Sequence, residues 1–123
     1  MEKDVKHIMV VCKEFTFDSA HKLTNDNGEC ANLHGHTYKL QIYVKGEVQE
    51  KTGYVQDFKE LKSIVTEDVL KVLDHRYIND VINNPSVENV SIWIWERLKK
   101  SLPLLCEIKL WETPTNFSIY TGQ

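Results

Sequence analysis

The sequence predicts an α+β fold: an antiparallel four-stranded sheet with two helices on one face, in the order ββααββ. Three observations lead there. Residues 36–45 alternate, with Tyr38, Leu40, Ile42 and Val44 on one side and Thr37, Lys39, Gln41, Tyr43 and Lys45 on the other. Residues 58–73 instead carry Phe58, Leu61, Ile64, Val65, Val69, Val72 and Leu73 at helical spacing. Beyond the helices, residues 107–113 and 116–121 read as two strands joined by a Pro114-Thr115 turn.

The elements follow in order. Residues 8–17 form a first strand, an apolar run closing on alternating Phe15 and Phe17. Residues 22–33 contain Asn25-Asp26-Asn27-Gly28, a dense turn signal, and are a loop. The alternation of residues 36–45 then marks a half-buried strand antiparallel to the first. Asp57-Phe58-Lys59-Glu60 opens the first helix as a capping-box variant: Asp57 accepts from an orphan amide while Glu60 reaches back. The second helix starts at Pro85-Ser86 and puts Val87, Val90, Ile94, Leu98 and Leu102 on one side, with Trp93 and Trp95 widening the apolar surface. Pro103 marks its end.

Composition sets the outer bounds. A chain of 123 residues, 41% hydrophobic and 27% charged, is expected to be one globular domain spanning residues 1–123. A net charge of −3 argues against nucleic acid as partner, since duplex binders need a basic stripe. No apolar run approaches the roughly 20 residues that span a bilayer, and Met1-Glu2-Lys3-Asp4 lacks the apolar stretch of a signal peptide. Three cysteines argue against a disulfide framework, so a reducing, cytoplasmic setting is the expectation. Cys12 and Cys106 lie in apolar strand contexts and read as small core hydrophobes.

The chemistry gathers around histidine. His34-Gly35-His36 places two imidazoles on the same side of an extended backbone, with Gly35 removing bulk between them. His21, at the end of the first strand, becomes a third candidate if the two strands pair antiparallel. Three protein ligands with an open fourth position are the usual set for catalytic zinc. Cys30 precedes His34 in a polar loop; it is either a base of lowered pKa or a fourth ligand closing a structural Cys-His₃ shell. His75 follows the first helix, and Asp74 beside it can orient the ring for proton transfer. Glu112 shares strand parity with Ile108 and Leu110, where a carboxylate is costly unless it grips something polar.

Taken together, Phe17-x-Ser19-Ala20-His21, Cys30-x-x-x-His34-Gly35-His36, Leu73-Asp74-His75-Arg76-Tyr77-Ile78-Asn79-Asp80, Asn84-Pro85-Ser86-x-Glu88 and Glu112-Thr113 resemble the 6-pyruvoyltetrahydropterin synthase family. The spacing of Cys30 from His34 is similar to the carboxytetrahydropterin branch, which serves queuosine biosynthesis. The resemblance implies a tunnelling fold, a homo-oligomer, commonly a hexamer, and active sites at subunit interfaces. It implies zinc on His21, His34 and His36, Cys30 as proton acceptor, and proton transfer supported by Asp74 and His75. Glu112 would anchor the pterin ring and join the charge relay, and Lys22 is a candidate for the substrate's triphosphate. The implied reaction is carbon–carbon lyase chemistry, taking 7,8-dihydroneopterin triphosphate to 6-carboxy-5,6,7,8-tetrahydropterin with loss of acetaldehyde and triphosphate. Glu29, beside Cys30, opens an alternative, because a related branch uses a glutamate before the His-Gly-His to form 6-hydroxymethyl-7,8-dihydropterin for folate synthesis.

Overall fold

The computed structural model describes residues 5–23 and 32–123. Strands β1 (Ile8–His21) and β2 (His34–Glu47) pair antiparallel along their whole length, from Ile8 opposite Glu47 to His21 opposite His34. β1 therefore runs past the expected end at residue 17. Its inward positions there are Phe15, Phe17, Ser19 and His21, all buried. Alternation of hydropathy disappears where the buried side chains are themselves polar, so the strand's last turns of pleat are invisible to pattern reading.

The expected alternation of β2 holds, with Tyr38, Leu40, Ile42 and Val44 fully buried. β4 (Leu105–Trp111) pairs antiparallel with β2, and β5 (Phe117–Tyr120) antiparallel with β4. A fifth strand, β3 (Arg76–Tyr77), joins β1 in parallel at Ser19 and Ala20, giving the order β3-β1-β2-β4-β5. Two residues are too few to carry a periodicity, and only the return of the chain after the helices creates this pairing.

The first helical segment is continuous in space but not uniform. α1 (Phe58–Val65) passes through a π-helical stretch, Thr66–Leu70, into α2 (Lys71–Leu73). Asp57 caps α1 as expected, its Oδ1 accepting from Lys59 N–H at 2.8 Å. Glu60 does not complete the box; it accepts from Gln56 Nε2 at 3.0 Å. Ser86 Oγ caps α3 (Val87–Lys99) by accepting from Asn89 N–H at 3.1 Å. α3 stops short of Pro103, and Lys99 Nζ ties its end by donating to the carbonyls of Pro103 and Leu105, both at 2.9 Å.

The helices and one face of the sheet share a core built on Phe17, Tyr38, Leu40, Ile42, Leu61, Val65, Leu73, Ile94 and Leu110. Cys12 does not belong to it. Parity turns the even positions of β1 away from the helices, leaving Cys12 exposed, and Cys106 is half-buried. No helix among the described residues is long and apolar enough to cross a membrane.

Candidate functional site

The register of β1 and β2 builds the site. His21 lies opposite His34, and Ser19 opposite His36. Directly opposed residues project to the same face of a sheet, and His36 follows His34 by one pleat repeat, so three imidazoles meet at the end of the core. The rings contact one another edge-on, with centroids 4.6 Å (His21–His34), 5.0 Å (His21–His36) and 4.8 Å (His34–His36) apart. A Cβ on Gly35 would lie 3.6 Å from Ser19 O, an ordinary contact. The expected need for glycine to spare bulk therefore does not arise within this chain.

Backbone carbonyls set the tautomers. His21 Nδ1–H donates to Pro85 O at 2.7 Å, and His34 Nδ1–H donates to Asn32 O at 2.7 Å. A carbonyl can only accept, so each ring carries a proton on Nδ1, and in the neutral ring Nε2 turns a bare lone pair inward. Those two Nε2 atoms are 3.0 Å apart, a repulsive arrangement unless a cation or proton lies between them. His36 Nε2 is buried with no hydrogen-bond partner among the described residues. It lies 3.3 Å from Glu112 Oε1 but without hydrogen-bonding geometry, and the same carboxylate oxygen is 4.0 Å from His21 Nε2.

Burial pushes the His36 pKa below the ordinary histidine value. Glu112 opposes that shift, and His21 and His34 reinforce it. Tyr38, buried beneath the cluster, is held protonated by burial, with Glu112 adding to the effect. The donor atoms of His21, His34, His36 and Glu112 all lie within 4.8 Å of one another. Inward lone pairs, an orphaned nitrogen and an adjacent carboxylate fit a divalent cation of the zinc type.

Asp74 and His75 form a separate group. His75 Nδ1 is 3.0 Å from Asp74 Oδ1, and Asp74 Oδ1 accepts from Asp18 N–H at 3.0 Å. The His75 side chain is 77% exposed and opens onto a cleft of about 570 Å³, which it lines with Asp18, His36 and Tyr77. A second cleft of about 500 Å³ is lined by His36, Lys39, Trp111, Glu112 and Thr113. The two clefts share Gly35, His36 and Thr37, so candidate proton carrier and candidate pterin anchor flank one stretch of β2. Lys22 lies just past β1, its main chain pinned by Asn79: Lys22 N–H donates to Asn79 Oδ1 at 2.9 Å, and Asn79 Nδ2 donates to Lys22 O at 2.7 Å. Cys30 and Glu29 lie outside the described residues.

Sequence reasoning missed the supports. Pro85 O and Asn32 O orient the histidines through backbone atoms, which no residue type announces. Asp18 and Thr37 bear on the Asp74–His75 pair, yet their only signal is polarity at outward strand positions.

A five-stranded sheet with helices packed on one face and a tri-histidine cluster at its end is the architecture of a tunnelling fold. The solved structure of Caenorhabditis elegans 6-pyruvoyl tetrahydropterin synthase superposes with a TM-score of 0.88 at 28% identity, covering 95% of this chain and 97% of that one. Dihydroneopterin monophosphate aldolase of Pyrococcus furiosus is 45% identical over 100 residues, 79% of this chain and 83% of that protein. 6-Carboxy-5,6,7,8-tetrahydropterin synthase of Haemophilus influenzae is 38% identical over 136 aligned positions, 89% of this chain and 96% of that protein. The model of the family described as 6-pyruvoyl tetrahydropterin synthase matches residues 10–123, and the chain belongs to that family.

Proposed function

We propose that this chain converts 7,8-dihydroneopterin triphosphate to 6-carboxy-5,6,7,8-tetrahydropterin, releasing acetaldehyde and triphosphate, with zinc held by His21, His34 and His36. The observation that carries the reading is the inward convergence of Nε2 atoms whose tautomers are fixed by Pro85 O and Asn32 O. Zinc bound there supplies a Lewis acid with an open position for the substrate's side-chain hydroxyls.

The chain's own groups divide the remaining work. Glu112 offers two acceptor oxygens to the guanidine-like edge of the pterin, from the cleft it shares with Thr113. His75 takes and returns a proton at Nε2 while Asp74 holds Nδ1. Cys30 is the partner base, and its spacing from His34 supports the carboxytetrahydropterin branch. Lys22 is the proposed contact for the triphosphate. Among the described residues, the edges β3 and β5 each leave unpaired backbone groups, which closure into a cytoplasmic homohexamer for queuosine biosynthesis would cover.

The aldolase relative favours a second reading, aldol cleavage of a dihydroneopterin phosphate to 6-hydroxymethyl-7,8-dihydropterin with Glu29 as base. Incubating the zinc-loaded protein with dihydroneopterin triphosphate, and separately with the monophosphate, decides between them by product mass. 6-Carboxytetrahydropterin from the triphosphate supports the first reading; 6-hydroxymethyl-dihydropterin alone replaces it with the second.

A further inference from the structure

The outward face of the sheet holds a contact that neither the fold nor the histidine cluster requires. Thr37 Oγ1–H donates to Asp18 Oδ1 at 2.5 Å, joining β2 to β1 one residue beyond His36. Asp18 in turn grips the Asp74–His75 pair with its main chain. Its N–H donates to Asp74 Oδ1 at 3.0 Å, and its carbonyl accepts from His75 N–H at 2.6 Å. Next to it, the buried Ser19 hydroxyl donates to Leu73 O, fastening the end of α2.

His75 sits at φ 57°, in the left-handed region that a residue with a Cβ avoids. Such a conformation persists only where its surroundings impose it, and here the imposing groups are those of Asp18. The grip also contains a hazard. The carboxylates of Asp18 and Asp74 and the His75 ring nitrogen all lie within 4.8 Å of one another, so two carboxylates are in range of one imidazole. At 3.0 Å from Asp74 Oδ1, Nδ1 is the His75 nitrogen that faces the carboxylate, and a proton on it is the arrangement that pairing favours. Nε2 is then the nitrogen left for proton transfer. That assignment lasts only while Asp18 does not take the ring from Asp74.

We propose that Thr37 is a positioning residue: by holding the Asp18 carboxylate on β2, it leaves Asp74 as the carboxylate paired with His75 Nδ1 and so sets the orientation of the His75 ring. The link is short. From His36 it passes along one peptide to Thr37, across one hydrogen bond to Asp18, and through Asp18 main-chain atoms to both members of the pair. The inference rests on reading His75 as the proton carrier, and the experiment separates the two.

Thr37→Val keeps the shape and removes the donor, and Thr37→Ser keeps the donor. In the zinc-loaded enzyme, Thr37→Val is expected to lower kcat between about 10- and 100-fold, the scale for a misplaced reacting group, with KM within about twofold. Thr37→Ser recovers most of that loss, and zinc content is the same in all three proteins. Independently of turnover, ring 1H–15N correlations of His75 show the Nδ1–H tautomer in the parent and in Thr37→Ser, and a tautomer mixture in Thr37→Val. An unchanged His75 spectrum in Thr37→Val overturns the positioning role, whatever happens to kcat. If the parent turns over no dihydroneopterin phosphate, the functional reading fails instead, and the spectrum still decides the role of Thr37.

Discussion

His21 and His36 are both proposed zinc ligands, but the structure gives them different duties in the metal-free protein. His21 is fully buried, and its Nδ1–H satisfies Pro85 O at 2.7 Å, immediately before the cap of α3. Replacing it by alanine leaves that carbonyl unpaired, which costs about 1–3 kcal/mol. The vacated ring volume beside Tyr38 adds a cavity term, for a total of about 2–4 kcal/mol. His36 Nε2 has no hydrogen-bond partner among the described residues. His36→Ala therefore shifts the stability of the metal-free protein by only about 0.5–1 kcal/mol, in the range of ordinary substitutions away from a buried network. Both variants are nevertheless expected to lose stoichiometric zinc, because each removes one of the three proposed ligands. The assay is urea unfolding in the presence of a chelator at one fixed protomer concentration, together with metal analysis of the proteins as purified. The fixed concentration matters because self-association shifts apparent stability. Equal destabilisation of the two metal-free variants, or full zinc retained by His36→Ala, would refute the division of roles.

Other outcomes are checked more simply. In the metal-free protein, the depressed pKa of His36 means the unfolded chain binds more protons as pH falls below the ordinary histidine value of 6.5. That contribution is complete above pH 6.5 and fades as pH falls, so the urea midpoint drops on acidification from this source, and less steeply in His36→Ala. Partial desolvation of the sulfur raises the thiol pKa of Cys12, although its side chain is exposed, and of half-buried Cys106, so both should alkylate slowly at neutral pH. Peptide mapping after iodoacetamide should find fast labelling at Cys30, and rapid labelling of Cys12 instead would contradict this. Ser86→Ala removes the acceptor for Asn89 N–H and should cost about 1 kcal/mol in thermal or urea unfolding; a neutral result would mean the cap is replaced by solvent.

The sequence alone determined what periodicity and residue chemistry can encode. Strict alternation marked the central strand, helical spacing marked residues 58–73, and Ser86 announced the start of α3. The His34-Gly35-His36 triplet, His21, Asp74-His75 and Glu112 stand out in the sequence as candidate chemistry because their side chains bind metals or carry protons. The tertiary structure decided what depends on partners distant in the chain. Which Nε2 lone pairs face inward was settled by carbonyls of Pro85 and Asn32, since a backbone oxygen has the same identity at every position. The length of β1 was settled by pairing with β2, because its final inward residues, Ser19 and His21, erase the hydropathy signal they extend. The two-residue β3 arises from how the chain returns from the helix layer to the sheet edge. Asp18 and Thr37 look like solvated strand residues until the fold sets them against Asp74 and His75, because a hydrogen bond between residues 19 positions apart is a property of register rather than of local sequence.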